Sequence, residues 1–253
     1  MDTLYQESFA PWCEKARWAL DHHGIRYRRI EHLPLLGEPA LRWAARRARG
    51  RVTVPLLVTR DARLGDSLSI AQWADRAGAG EPLFPPALAS EVDAWNRRSE
   101  TLMEAGRALL LPRLLTSDRA LREQLPPFVP TALRAAMQPV AAMAARHLMR
   151  KYGIVADRVG VHEETVRAGL RALRAELARD GRHLVAGRFT YADVAMATAL
   201  QFIVPVSDAY MPLGPATRAA WTHPALAGEA ADLIAWRDGL YTERRRPAAA
   251  HPA

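Results

Sequence analysis

Apolar positions change their spacing repeatedly along the first third of the chain. Residues 2–5 are short and read as a strand. Trp12, Ala16, Ala19 and Leu20 then recur at the spacing of one helical face, which predicts a helix over 11–23. Pro11 suits the first turn of that helix, where a missing N–H costs nothing, and Gly24 is placed to stop it. Residues 25–30 alternate weakly, as a strand does. A helix follows over 38–47, a short apolar strand over 54–58, and a possible hairpin partner over 62–64. Ile70, Trp73 and Ala74 share one face of a helix over 67–77. The order β-α-β-α-β-β-α calls for a mixed sheet flanked by helices. Pro55 cannot donate to a ladder, so it fits that sheet only where its missing donor is used deliberately, as a cis proline at the start of a strand would be.

The turn-rich stretch from Gly78-Ala79-Gly80-Glu81-Pro82 to Pro85-Pro86 changes the pattern. Beyond it the spacing is helical only. Val92, Trp95, Ser99, Leu102, Met103, Gly106 and Leu110 hold one face over several turns. Further helices are predicted over 133–151, around Val166 to Leu177, and over 230–241. Residues 191–204 are apolar on every side, which marks a buried helix. Thr190 and Asp193 stand ahead of it as an acidic form of the capping box, with Phe189 and Val194 as a hydrophobic staple. The chain therefore divides into an α/β unit over 1–78, a linker over 79–90, an all-helical unit over 91–243, and a tail over 244–253 expected to be disordered.

Composition narrows the function. The 253 residues are 49% hydrophobic and 25% charged, the profile of a globular protein with a sizeable core. Cys13 is the single cysteine, so no internal disulfide and no Cys-rich zinc site is available, and no metal is expected. No apolar run is long enough to cross a bilayer, and the first residues lack the basic and apolar regions of a secretory signal. The expectation is a cytoplasmic protein with no membrane partner. The net charge of +8 is carried almost entirely by arginine. Arg46-Arg47-Ala48-Arg49 and Arg244-Arg245-Arg246 could touch phosphates, but the basic residues are scattered and form no stripe with interleaved aromatics. Nucleic acid is therefore not an expected partner. His22-His23 closes the first helix, where cationic groups suit the dipole, and a surface role is expected.

Several features fall in one order: Leu4-Tyr5 leading into Ala10-Pro11-Trp12-Cys13-Glu14-Lys15-Ala16-Arg17, then Thr53-Val54-Pro55-Leu56-Leu57, then Gly65-Asp66-Ser67-Leu68-Ser69-Ile70, a linker, and the capped helix at Thr190. In that order and spacing the chain resembles the cytosolic glutathione transferase superfamily over nearly its whole length, least so over 111–160. The resemblance implies a thioredoxin-like N-terminal domain followed by an all-helical domain, glutathione as substrate or bound ligand, a small apolar electrophile as second substrate, and a homodimer. It implies that the backbone of Val54, before Pro55, pairs with glutathione as one strand pairs with another. Ser67, at a helix N-terminus, would take the γ-glutamyl carboxylate, Asp66 would help hold the ammonium, and Trp12 would complete the glutathione-binding set with Val54 and Pro55. The second-substrate pocket would be lined by Trp95, Met103 and Arg107.

The chain departs from the family at the sulfur. The Ser or Cys that in the family holds the glutathione thiolate or forms a mixed disulfide with it aligns with Ala10, which can do neither job. Three explanations stand side by side. Backbone amides at the start of the helix could stabilise the thiolate. Ser8 or Cys13 could take over, a thiol in a first helical turn having a lowered pKa. Or the protein binds glutathione, or another ligand or protein partner, without catalysis.

Overall fold

The computed structural model describes residues 1–126 and 128–247. Its N-terminal part holds β1 (Asp2–Gln6), α1 (Pro11–His22), β2 (Tyr27–Glu31), α2 (Glu38–Ala45), β3 (Leu56–Val58), β4 (Arg63–Leu64) and α3 (Ser67–Ala77). The sheet order is β2-β1-β3-β4, with β1 and β2 parallel and the other neighbours antiparallel. This is the mixed sheet that the sequence called for. The Val54–Pro55 peptide is cis and lies just ahead of β3. The helices of the second part are α4 (Ala89–Leu115), α5 (Asp118–Glu123), α6 (Arg134–Tyr152), α7 (Val159–Asp180), α8 (Tyr191–Ala199), α9 (Pro215–Trp221), α10 (Pro224–Glu229) and α11 (Ala231–Arg244). Among the described residues, its only strand-like pairing is a single bridge, Val185 with Arg188. No helix among them is long and apolar enough to cross a membrane.

One apolar cluster runs through both parts. It extends from Leu4, Leu20, Leu57 and Ile70 through Trp18 to Trp95, Met103, Tyr191 and Val194. A smaller one, Leu41, Ala44, Val52 and Leu56, lies under α2. Helix α1 is buried along most of its length because it packs against α3 and α8. Helix α8 is buried at every position, as its apolar sequence required. Its start depends on Asp193, which accepts the Thr190 N–H at 2.8 Å and the Leu184 N–H at 3.0 Å. Helix α4 is approached closely at Gly106 by Phe202, in the 3-10 turn Leu200–Phe202 that follows α8. A Cβ built there would lie 2.4 Å from the Cβ of Phe202, so only glycine fits without displacing that ring.

Two expectations need correction. His23 is buried rather than superficial: its Nδ1 meets the Ala79 carbonyl at 2.9 Å and its Nε2 lies 3.1 Å from Asp75. These contacts tie the end of α1 to α3 and to the start of the linker. Arg245 does not trail away in a tail. It is buried, with Nε donating to Glu14 Oε1 at 2.7 Å and Nη1 to Asp21 Oδ2 at 2.6 Å. The reason is a charge that needs a partner. Glu14 is 4% exposed, and an unpaired carboxylate there would be costly. Residues 248–253 of the expected tail lie outside the described residues.

Burial alone would push the Glu14 carboxyl up, but the Arg245 and Arg17 guanidiniums outweigh it and hold the group at about 2. Arg245→Ala leaves Glu14 with Arg17 alone. It is expected to lower the unfolding free energy by about 3 kcal/mol in urea denaturation at neutral pH, the low end for a broken buried pair because one partner remains. Glu14 is depressed from 4.5 in the folded state, so its contribution is present above that value and disappears as pH falls toward about 2. The difference between the native protein and Arg245→Ala should therefore narrow over that acid window.

Candidate functional site

A cleft of about 310 Å³ opens between the two parts. Its N-terminal side is made by Glu7, Ala10, Trp12 and Val54, and its other walls by α4, α6 and Phe202. Most of the lining is apolar, with Leu110, Leu111 and Leu114 from α4 and Val140, Met143 and Leu148 from α6. Such a space takes apolar ligands and orients them by a few polar groups.

The polar groups sit at one end. Val54 lines the cleft, and among the described residues its backbone N–H and C=O have no hydrogen-bond partner. Trp12 is half-buried, and its Nε1 donates to Glu100 Oε2 at 2.6 Å. The other oxygen of Glu100 accepts from Lys15 Nζ at 2.6 Å. Lys15 is fully buried, and its ammonium also donates to Asn96 Oδ1 at 2.6 Å and to Ser99 Oγ at 3.1 Å. Burial pushes the Lys15 ammonium down, opposed by Glu100 and more weakly by Asp66. A line of contacts thus leads from Trp12 in the cleft wall, through Glu100 and Lys15, toward the N-terminus of α3.

Asp66 is the N-cap of α3: its carboxylate accepts the Ser69 N–H at 2.8 Å and the Ser69 hydroxyl at 2.7 Å. Ser67 is buried at the first turn, beside the Tyr191 hydroxyl. Neither residue lines the cleft, whereas Trp12, Val54 and Ala10 do. Pro55 is buried behind Val54.

The proposed second-substrate residues separate. Arg107 lines the cleft, its guanidinium 3.5 Å from the Tyr152 ring centroid and 4.6 Å from that of Trp12. Trp95 and Met103 do not line it; both are buried in the main apolar cluster. The helical spacing that brought them forward belongs to the core face of α4. Neither sulfur candidate is placed for chemistry. Cys13 has no exposed surface, and its Sγ accepts the Glu7 N–H at 3.3 Å. Burial pushes its thiol far up, the reverse of what a thiolate nucleophile needs. Ser8 is exposed and lies off the cleft, held by its backbone: its N–H donates to Glu31 Oε1 and its C=O accepts from Arg17.

Sequence reading missed Glu7, Lys15, Glu100 and Tyr152. One signal for part of this set was present. Ser99 interrupts the apolar stripe of α4, and a hydroxyl on a core face needs a buried partner. Glu7 follows β1 directly, and the carboxyl ends of strands in α/β sheets are where ligand-facing groups gather. Among the described residues no group of three or more His, Cys, Asp or Glu is arranged to hold a metal ion.

Comparison with known proteins fits this geometry. Residues 9–77 match the glutathione S-transferase N-terminal domain family, and residues 104–239 match the glutathione S-transferase C-terminal domain family. With more than half its length matched, the chain belongs to the glutathione S-transferase family. No curated protein matches it. Among solved structures it is similar to a glutathione S-transferase from Methylobacillus flagellatus KT with GSH bound, at 15% identity and a TM-score of 0.64, covering 98% of this chain and 100% of that one. It is similar to a glutathione S-transferase domain-containing protein from Marinobacter aquaeolei VT8, at 19% identity and a TM-score of 0.62, covering 96% and 98%. A glutathione transferase family member from Pseudomonas fluorescens Pf-5, with bound S-(propanoic acid)-glutathione, aligns at 17% identity and a TM-score of 0.58, covering 98% and 100%. These likenesses speak for the fold.

Glu100 accepts from both Trp12 and Lys15, so Glu100→Ala should leave a buried ammonium short of its charge partner. The expected cost is about 3 kcal/mol of unfolding free energy. The double variant Lys15→Met with Glu100→Ala should recover a good part of it in the same denaturation experiment.

Proposed function

We propose that the protein binds glutathione at the N-terminal side of the cleft and adds its thiolate to a small apolar electrophile, or acts on a glutathione-linked substrate. The observation that carries the reading is Val54, whose backbone N–H and C=O, unpaired among the described residues, border the cleft beside Ala10. An extended peptide can pair with that backbone as a strand would. Membership of the glutathione S-transferase family supports it, as do solved relatives that hold glutathione or a glutathione conjugate. In this reading Ser67 and the first-turn amides of α3 take the γ-glutamyl carboxylate, and Asp66 helps hold the ammonium. Trp12 borders the peptide, and the electrophile lies against Arg107 and the leucines of α4. The units 1–78 and 91–243, joined by 79–90, are read as the glutathione-binding and helical domains. A homodimer acting in the cytoplasm on small molecules completes the proposal.

A second reading rests on Ala10: with no hydroxyl or thiol there, the protein would carry glutathione, an apolar ligand or a protein partner without turnover. The two readings separate on turnover with a panel of electrophiles, disulfides and peroxides included. Rates no greater than the uncatalysed reaction on every one would sink the enzymatic reading, and calorimetry would still register glutathione under the second. Ser67→Ala is expected to raise the glutathione Kd about tenfold, roughly 1.4 kcal/mol, with the circular dichroism spectrum unchanged. A native protein that takes up no glutathione would refute both forms of glutathione binding.

A further inference from the structure

We infer that Glu7 accepts the proton of the glutathione thiol, the task that no side chain at position 10 can perform. The inference rests on reading the cleft as a glutathione site and adds the residue that activates the sulfur.

The geometry fixes the backbone of Glu7 and leaves its side chain unengaged. Its N–H donates to Cys13 Sγ at 3.3 Å and its C=O accepts the Ala10 N–H at 3.0 Å, so Glu7 and Ala10 close one tight turn between β1 and α1. Both residues line the cleft with Trp12 and Val54. Among the described residues, the Glu7 carboxylate makes no hydrogen bond and no ion pair. This sets it apart from the other charged groups on this side of the cleft. Glu31 is occupied by the Ser8 N–H at 2.7 Å, Glu38 by Lys151 at 2.5 Å, and Arg107 by two aromatic rings. Glu7 is half-buried, and a carboxylate partly withdrawn from water without a partner is costly unless it has a use.

The groups that face it set its affinity for a proton. Glu31 comes from β2, Lys151 from α6 and Arg107 from α4, while the Cys13 thiol of α1 lies behind the backbone. His32, Glu38, His147 and Tyr152 are the other titratable groups on the cleft lining. Burial pushes the Glu7 carboxyl up, Glu31 pushes it further, and Lys151 and Arg107 pull it partly back, leaving it at about 7. An ordinary carboxylate would be too weak a base to compete for a thiol proton. One near neutrality lies within about two units of a thiol at about 8.5 and can share its proton. In the step itself, the S–H bond breaks and an O–H bond forms on Glu7, with the electron pair staying on sulfur. The neutral carboxylic acid then donates a hydrogen bond to the thiolate instead of repelling it. The sulfur attacks the electrophile, and the proton passes to the leaving group or to the carbanion formed by addition.

The test is the pH profile of kcat/KM with glutathione and a reactive electrophile, run beside glutathione calorimetry. The native enzyme should show an acid limb near pH 7. In Glu7→Gln the limb should move up toward about 8.5, and the rate at pH 7 should fall about 100-fold. Its glutathione Kd should stay within about threefold. Glu31→Gln keeps an acceptor for the Ser8 N–H and removes a negative charge, so it should move the native limb to lower pH; this holds the inference to account even if Glu7→Gln does not fold. A native protein that binds no glutathione overturns the reading of the cleft and this inference with it. Glutathione binding without turnover of any electrophile overturns the inference and leaves the carrier reading standing. Turnover with the acid limb unmoved in Glu7→Gln, or unmoved in Glu31→Gln, overturns the inference alone.

Discussion

The buried carboxylate of Glu14 is the constraint around which the N-terminal side of the site is built. It sits in α1 with almost no access to water, between two guanidiniums. Arg17 does more than neutralise it: the same guanidinium donates to Gln6 Oε1 at 2.8 Å and to the Ser8 carbonyl at 2.7 Å. One charge cluster therefore sets the exit of β1, the turn that carries Glu7 and Ala10, and the entry of α1. Arg245 comes from beyond α11 and closes the cluster from the far end of the described chain. Desolvating these groups is costly, and only close, multiple hydrogen bonds offset it. The cluster is specific for that reason: a shifted loop would leave a charge unpaired.

The long elements were legible because their signals are repetitive. Helices α1, α3, α7 and α8 each show an apolar face or an apolar surround over several turns, and the Thr190–Asp193 cap announces α8. The short helices α5, α9 and α10 were not, since six or seven residues cannot display a period. Their stability comes from contacts distant in sequence. The first amides of α9, for example, donate to Glu123 at the end of α5. Pro112 lies inside α4 near its C-terminus, where a local reading would have ended the helix.

The candidate site was legible in part. Val54, Asp66 and Ser67 stand in motifs whose chemistry is local, a backbone edge and a helix N-terminus, and of the three Val54 lines the cleft. The residues that shape the cleft are not local at all. Trp12 meets Glu100 across 88 positions of sequence, and Lys151 meets Glu38 across 113. Trp95 and Met103 show the converse error. A helical stripe says which residues turn away from water, and it cannot say whether they turn toward a core or toward a cavity. On α4 the core took those two residues, and Arg107 with Leu110, Leu111 and Leu114 took the cavity.

Gly106 lies between these two faces of α4 and is not itself part of the cleft lining, yet it governs that lining. Phe202 rests against it and forms the wall with Trp12, their ring centroids 5.6 Å apart. Any side chain at position 106 must displace that ring. The size of the cavity is thus encoded at a residue that no ligand meets. Ligand choice in such a protein can drift over evolutionary time while every contact residue stays the same, because the spacing of two helices is itself a heritable trait.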